Sequence, residues 1–380
     1  MVKSFKVRLY PTKEQEQLMW KHIGSCRFVY NYMLGKQKEY YKAEEKHLSY
    51  FDTVKLLTPL KNDAKYSWLY EVSNTSLQRV CKDLDEAYEA FFKKQNGFPK
   101  FKSRKKSKLT FPIRAERFYF KNNKILNIEK IGKVKYKSDF TFEFGRDVCK
   151  FINPRVSNKN GKWILSFGME CESQARQLND FSMGIDLGIK ETATVAYKDK
   201  VLVFYNINKS KKIKTLKKNL KHLQRSISRK YEANKQGKTY IKTNNIIKQE
   251  NKLRKLYAKI SNIRENYIHQ TTHKLIELLP KKVIMEDLNV RGMMRNKHLS
   301  KAIQEQCFYE FIRQMKYKCE WNGIEFIQVD RFYPSSKTCH NCGHIKQNLK
   351  LEDRTYTCIE CGYKNDRDIN AALNLMSYKD

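Results

Sequence analysis

Four cysteines near the C-terminal end constrain this chain more than any other feature: CHNC at 339–342, fifteen residues from Gly343 to Thr357, then CIEC at 358–361. Each Cys-x-x-Cys pair can close a tight knuckle on one metal ion, and the gap suits a short hairpin between the knuckles. Cys339, Cys342, Cys358 and Cys361 are therefore expected to hold a structural Zn²⁺. The other six, Cys26, Cys81, Cys149, Cys171, Cys307 and Cys319, are scattered singly, which fits a reducing cytosol better than a disulfide framework.

The charge balance narrows the partner. Lys and Arg number 77 against 40 Asp and Glu, a net charge of +37 with a pI near 9.7, which implies a polyanion. No apolar run reaches the ~18 residues of a spanning helix, and no signal peptide or lipidation motif opens the sequence. Nucleic acid is favoured over a membrane surface. A chain of 380 residues is expected to form two or three domains. Aromatic residues at 13% argue for folded cores and stacking surfaces instead of a disordered basic tail.

Phe5, Val7 and Leu9 alternate with Lys6 and Arg8, the period of a half-buried strand that Pro11 ends. Thr12 with Gln15 reads as a capping box, and helical spacing then dominates to about residue 95, clearest through Leu77, Cys81, Leu84, Tyr88 and Phe91. The run from Gly97 to Lys106 interleaves aromatics with Lys100, Lys102, Arg104 and Lys105, a composition able to track a phosphate backbone. Short strands at Ile125 to Ile128, Val134 to Tyr136, Phe140 to Phe144 and Trp163 to Met169 predict a small β-barrel, which the N-terminal strand joins around an inserted helical module. Met183 to Ile189 is a further strand, with hairpin partners at Thr192 to Tyr197 and Val201 to Tyr205. Two basic amphipathic helices between Lys209 and Leu279 turn at Asn234 to Lys238. A strand over Lys281 to Asp287, one helix over Lys301 to Trp321, a strand over Ile324 to Val329 and a closing helix over Ile369 to Met376, capped by Asn365 or Asp366, complete the order.

Acids stand in three separated segments. Asp186 lies in an apolar strand between two glycines, where an unpaired carboxylate is costly. Glu286 or Asp287 ends a later strand, Asp366 or Asp368 opens the last helix, and spacing does not choose within either pair. Carboxylates converging from distant segments are what two-metal phosphodiester chemistry requires, with ions about 3.5–4 Å apart.

The strings GIDLGIKETA, VIMEDLNVRGM, RFYPSSKTCHNCGH and CGYKNDRDINAALNLM resemble, in order and spacing, the three RuvC-type motifs and intervening zinc ribbon of the TnpB family. These are the insertion-sequence OrfB proteins, similar in this half to type V CRISPR effector nucleases. FKVRLYPTKEQ, SCRFVYN, DLDEAYEAFF and GFPKFKSRK extend the resemblance over almost the whole chain. It implies Asp186, Glu286 and Asp368 as catalytic acids holding two Mg²⁺, and the four cysteines as ligands of a structural Zn²⁺.

The implied fold is α+β and multidomain. A wedge β-barrel of oligonucleotide-binding type spans 1–11 and 106–178, with a helical recognition module inserted over 12–105. An RNase H-like (RuvC) α/β nuclease domain spans 179–335 and 364–380, and a zinc-ribbon insertion that binds target nucleic acid spans 336–363. The implied activity is that of a transposon-encoded RNA-guided DNA endonuclease cutting both strands. A guide RNA pairs with double-stranded target DNA, and the protein, a monomeric ribonucleoprotein of a prokaryotic cytoplasm and nucleoid, reads a short flanking motif. Candidate nucleic-acid contacts are Gln78, Arg79, Lys100, Lys102, Arg104, Lys105, Arg331 and Lys337. Arg79 stands where relatives often carry a second glutamine, which leaves the flanking motif open. The rival readings are an RNA-guided repressor without cleavage, against which three intact acids weigh, and a DNA-strand transposase, which would join strands without a guide.

Overall fold

The computed structural model describes residues 2–138, 140, 151–171, 176–350 and 353–379, and the chain divides into the units Met1–Glu172 and Ser173–Asp380. In the first unit, the alternation of β1 (Val2–Tyr10) buries Val7 and Leu9. Its backbone groups are satisfied far downstream: Leu9 lies opposite Tyr136 of β5 (Gly132–Lys137) on one side and Trp163 of β7 (Lys162–Glu170) on the other. With β2 (Thr110–Pro112), β3 (Phe118–Asn122), β4 (Ile125–Ile128) and β6 (Phe151–Lys159) these strands form an antiparallel sheet in the order β2-β6-β7-β1-β5-β4-β3. The sheet curls until Phe118 of β3 meets Phe151 of β6, ring centroids 4.3 Å apart. Among the described residues no strand pairing joins the edge strands β2 and β3. The expected strand at Phe140 to Phe144 lies outside the described residues except for Phe140, which stands in a bend with its ring edge-on to Phe5.

Between β1 and β2 run α1 (Lys13–Glu44), α2 (Tyr50–Lys55), α3 (Leu57–Asn62) and α4 (Asn74–Phe92). The capping box forms as expected: Thr12 Oγ1 accepts from the Gln15 N–H, and Gln15 Oε1 accepts from the Thr12 N–H. It satisfies donors that a helix start leaves bare, and Gln15 Nε2 also donates to the Lys133 carbonyl of β5 at 2.7 Å. His22, fully buried in α1, has Nδ1 on the Leu18 carbonyl while Nε2 accepts from the Ser73 N–H at the start of α4. Ser76 Oγ donates to the Pro112 carbonyl, and Arg155 of β6 grips Asp83 of α4 at 2.6 and 2.9 Å. Helices and sheet therefore share one apolar core.

The second unit is built on a sheet of order β10-β9-β8-β13-β14. β8 (Asn179–Asp186), β9 (Glu191–Tyr197) and β10 (Lys200–Tyr205) are antiparallel neighbours, whereas β13 (Pro280–Glu286) and β14 (Glu325–Val329) run parallel to β8. Strands placed in parallel need long crossovers. One contains α5 (Lys211–Ala233), the short strands β11 (Lys235–Gln236) and β12 (Thr239–Tyr240), and α6 (Asn244–Ile276). The other contains α7 (Val290–Met293), α8 (Ser300–Gln306) and α9 (Phe308–Asn322). The spacing predicts one helix over Lys301 to Trp321, but the structure breaks it at Cys307, whose φ of 56° and ψ of 40° are left-handed. The break lets Gln306 turn inward, where its Nε2 donates to the carbonyls of Gly188 and Ile189 at 3.0 and 2.9 Å.

One face of this sheet packs Met183, Ile185, Val283 and Met285 against Phe311 and Met315 of α9. β15 (Thr355–Thr357) and β16 (Lys364–Asp366) lead into α10 (Arg367–Met376), whose Leu375 packs with Ile284 and Val329. α10 lies against β8 at backbone contact because residue 184 is glycine: a Cβ there would stand 2.1 Å from the Ala372 carbonyl oxygen and 2.3 Å from the Met376 nitrogen. Among the described residues no helix is long and apolar enough to cross a membrane.

Candidate active site and metal centre

Parallel pairing sets Met285 opposite Ile185, so the next residues, Asp186 and Glu286, emerge together at the C-terminal ends of β8 and β13. Ends of parallel strands are where open α/β sheets place their ligands. α10 begins at the same end. Its cap is Asp366, whose side chain accepts from the N–H groups of Asp368 at 2.9 Å and Ile369 at 3.4 Å. Asp368 is left facing the loop after β8, with Oδ2 4.0 Å from where a Gly188 Cβ would be. Within the pairs that spacing leaves open, the surroundings differ. Asp287 is ion-paired with Arg331 at 2.5 Å, whereas Glu286 accepts a hydrogen bond from Ser335 Oγ.

Burial holds the Asp186 carboxyl well above the usual carboxylate range, and the negative charges of Glu286 and Asp368 push it further; Arg367 acts in the opposite sense. Burial also raises Glu286, against the Ser335 hydroxyl and Arg367, which lower it. Mutually repelling, partly desolvated carboxylates are a common mark of a cation-binding or catalytic site. The three carboxylates do not draw together as a single-ion cage: among the described residues only the four thiols form a group of three or more His, Cys, Asp or Glu ligand atoms all within 4.8 Å of one another.

Those thiols are Cys339, Cys342, Cys358 and Cys361, with Cys339 to Cys361 and Cys342 to Cys358 each 3.6 Å apart. A tetrahedral ion with Zn–S bonds of about 2.3 Å sets its sulfurs roughly 3.8 Å apart, so the donor set fits Zn²⁺. Each pair sits in its own turn. The Cys339 N–H donates to the His344 carbonyl and the Cys358 N–H to the Tyr363 carbonyl, both at 2.8 Å, with Gly343 and Gly362 supplying positive φ of 79° and 69°. The hairpin expected between the knuckles is instead wrapped around the second: β15 precedes Cys358 and β16 follows Cys361.

α10 also holds the first knuckle. Asn370 Nδ2 donates to the Thr338 carbonyl at 2.7 Å and its Oδ1 accepts from the His340 N–H, while Asn374 Nδ2 donates to the carbonyls of Ser335 and Thr338 at 2.7 and 2.6 Å. The Arg367 guanidinium donates to the Lys350 and Asp353 carbonyls. Spacing singles out none of Gln306, Ser335, Arg367, Asn370 and Asn374. The available signal is two asparagines one turn apart in a helix that is otherwise apolar after Asp368, since a buried amide needs partners.

Of the candidate nucleic-acid contacts, Lys100, Arg104, Lys105 and Arg331 are exposed, and Gln78 and Lys337 are half-buried. Arg79, Lys102, Arg331 and Lys337 have partners within the chain, the last two on Asp287 and the Gln347 carbonyl. Arg79 pairs with Asp83 and Glu86, and Lys102 Nζ sits 3.4 Å from the centre of the Tyr30 ring. α5 carries nine Lys and Arg against one acid, and α6 seven against two.

Comparison with known proteins gives matches along the whole chain. Residues 308–375 match the model described as "Cas12f1-like, TNB domain", and residues 166–297 match OrfB_IS605, described as "Probable transposase". Residues 1–46 match HTH_OrfB_IS605, described as "Helix-turn-helix domain", although here they form β1 and the single long helix α1. A protein of Escherichia coli (strain K12) named "Putative RNA-guided DNA endonuclease InsQ" is 30% identical over 393 residues, covering 99% of this chain and 92% of that protein. A Streptomyces pristinaespiralis protein named "Putative RNA-guided DNA endonuclease" is 29% identical over 379 residues, covering 99% and 89%. The solved structure of the mini-RNA-guided endonuclease CRISPR-Cas_phi3 shares the fold, with a TM-score of 0.55 at 12% identity over 99% of this chain and 92% of that one.

Proposed function

Because the chain belongs to the TnpB family of insertion-sequence OrfB proteins, we propose that it is an RNA-guided DNA endonuclease whose hydrolytic site is Asp186, Glu286 and Asp368. The observation that carries this reading is the geometry that brings Asp186 and Glu286 out side by side at the ends of β8 and β13 and seats α10 on Gly184, so that Asp368 faces the loop after β8. The chemistry supplied by two Mg²⁺ held there is activation of water and stabilisation of the leaving oxygen of a phosphodiester. The chain's own residues arrange the acids. Ser335 orients Glu286, Gln306 fixes the loop after Asp186, and the Asp366 cap presents Asp368. Arg367 offsets part of the negative charge on Asp186 and Glu286.

In this reading 179–335 and 364–380 form the RNase H-like domain, and 336–363 is a zinc-bearing insertion that binds target nucleic acid. The curled sheet is the wedge over 1–11 and 106–178, and 12–105 is the recognition module. Guide pairing reads the target, and Gln78 and Arg79 on α4 lie on the element that reads the flanking duplex. Lys100, Arg104, Lys105 and the basic faces of α5 and α6 contact phosphates, so affinity falls steeply as salt rises. The test is Asp186→Ala, assayed with a matched guide and target in Mg²⁺. Guide binding is expected to persist and cutting of both strands to be lost; cutting at the wild-type rate refutes the assignment.

A further inference from the structure

The turn between β14 and the first knuckle presents an aromatic ring to solvent beside an acid. Phe332 is 87% exposed, while its neighbour Tyr333 turns inward, edge-on to Tyr378 and with its hydroxyl donating to the Asn374 carbonyl. The turn itself is held. The Phe332 N–H donates to Asp330 Oδ1 at 2.8 Å, the Tyr333 N–H donates to the Asp330 carbonyl at 3.0 Å, and Arg331 is paired with Asp287. An aspartate that bonds the backbone two residues on fixes a turn, so the ring points outward from a defined frame. It lines a cavity of about 490 Å³ whose mostly polar wall includes Glu286, Ser336, Lys337 and Gln347, the Lys337 ammonium donating to the Gln347 carbonyl at 3.3 Å.

An exposed π face beside a polar cleft that carries an ammonium group is the means by which proteins hold single-stranded nucleic acid, with bases stacked on rings and phosphates near cations. Bases within a duplex are already stacked, which leaves the ring to an unpaired base. We propose that Phe332 is a stacking platform for an unpaired nucleobase of the strand being cut, setting the adjoining phosphodiester toward Glu286. This rests on the acid site proposed above. Because every base has a π face, the contact is tolerant of sequence.

The test uses single-stranded DNA carrying one 2-aminopurine, whose fluorescence is quenched by stacking, titrated into the guide-loaded Asp186→Ala protein so that nothing is cut. With Phe332 present the probe is quenched. In Phe332→Ala the quench is lost and binding weakens about 5- to 150-fold, the factor that corresponds to ~1–3 kcal/mol per stacked base. Phe332→Trp keeps both, and Phe332→Leu, which retains apolar bulk without a π face, behaves as the alanine variant. In the cutting protein Phe332→Ala raises KM by more than it lowers kcat. No quench with Phe332 present, equal binding by Phe332→Ala, or full binding by Phe332→Leu overturns the platform. The titration needs no cleavage, so an otherwise wild-type protein that cuts nothing refutes the acid site and leaves the quench to decide the platform.

Discussion

One methyl group placed at Gly184 tests whether the close seat of α10 sets the acid geometry. A Cβ at 184 would stand 2.1, 2.3 and 2.9 Å from the Ala372 oxygen, the Met376 nitrogen and the Leu375 carbonyl carbon, all of them helix backbone, whereas ordinary contact begins at 3.4 Å. No rotamer change relieves a clash with backbone, so α10 must retreat by 3.4 − 2.1, about 1.3 Å, or β8 must buckle. Overpacking of this kind costs ~1–3 kcal/mol, which for a unit of this size lowers Tm by roughly 2–12 °C. The effect on rate is larger. Asp186 lies two residues beyond Gly184 on β8, and Asp368 lies four before Ala372 on α10, so the same retreat separates the acids. A misplacement near 1 Å costs on the order of 10²-fold in rate. Single-turnover cutting of a matched duplex in Mg²⁺ should therefore slow about 100-fold in Gly184→Ala, while guide-RNA affinity stays near the wild-type value. A variant that cuts at the wild-type rate with an unchanged Tm refutes the reasoning.

Losing one thiol by Cys358→Ser should unseat the ribbon and the start of α10, harming cleavage more than guide binding in parallel assays; equal loss of both counts against that role. His22 predicts a pH dependence. Burial lowers its pKa, and the Ser73 N–H requires an unprotonated Nε2. Below pH ~6.5 the unfolded chain binds a proton that the folded chain resists, so stability falls with falling pH, by at most ~1.4 kcal/mol per unit. Urea unfolding between pH 7 and 5 should show a shallower slope in His22→Gln; an unaltered slope would remove His22 as the cause.

Elements that carry their own period are legible in the sequence. β1, β4 and β7 lie where alternation puts them, and α5 and α6 follow their apolar stripes. What the pattern conceals are the places where a distant partner overrides it. Cys307 continues a helical stripe in the sequence, yet its left-handed backbone interrupts the helix and turns the Gln306 amide onto a carbonyl 118 residues away in sequence. The cysteine spacing is local and announces its ligand set. Where the hairpin runs depends on the Cys358 N–H finding the Tyr363 carbonyl, which spacing does not encode. Likewise Asp366 and Asp368 differ only once the helix start is known, because one of the two carboxylates then faces free N–H groups.

The seat of α10 on Gly184 also sets a timetable. Ala372 follows Gly184 by 372 − 184 = 188 residues. At ~5–20 residues per second of translation, β8 waits about 10–40 s for the helix that covers it. A nascent chain thus displays Asp186, then Glu286, long before the segment bearing Asp368 leaves the ribosome. The three acids of the proposed site come together only after α10 has been made, so a chain stopped before α10 cannot assemble it.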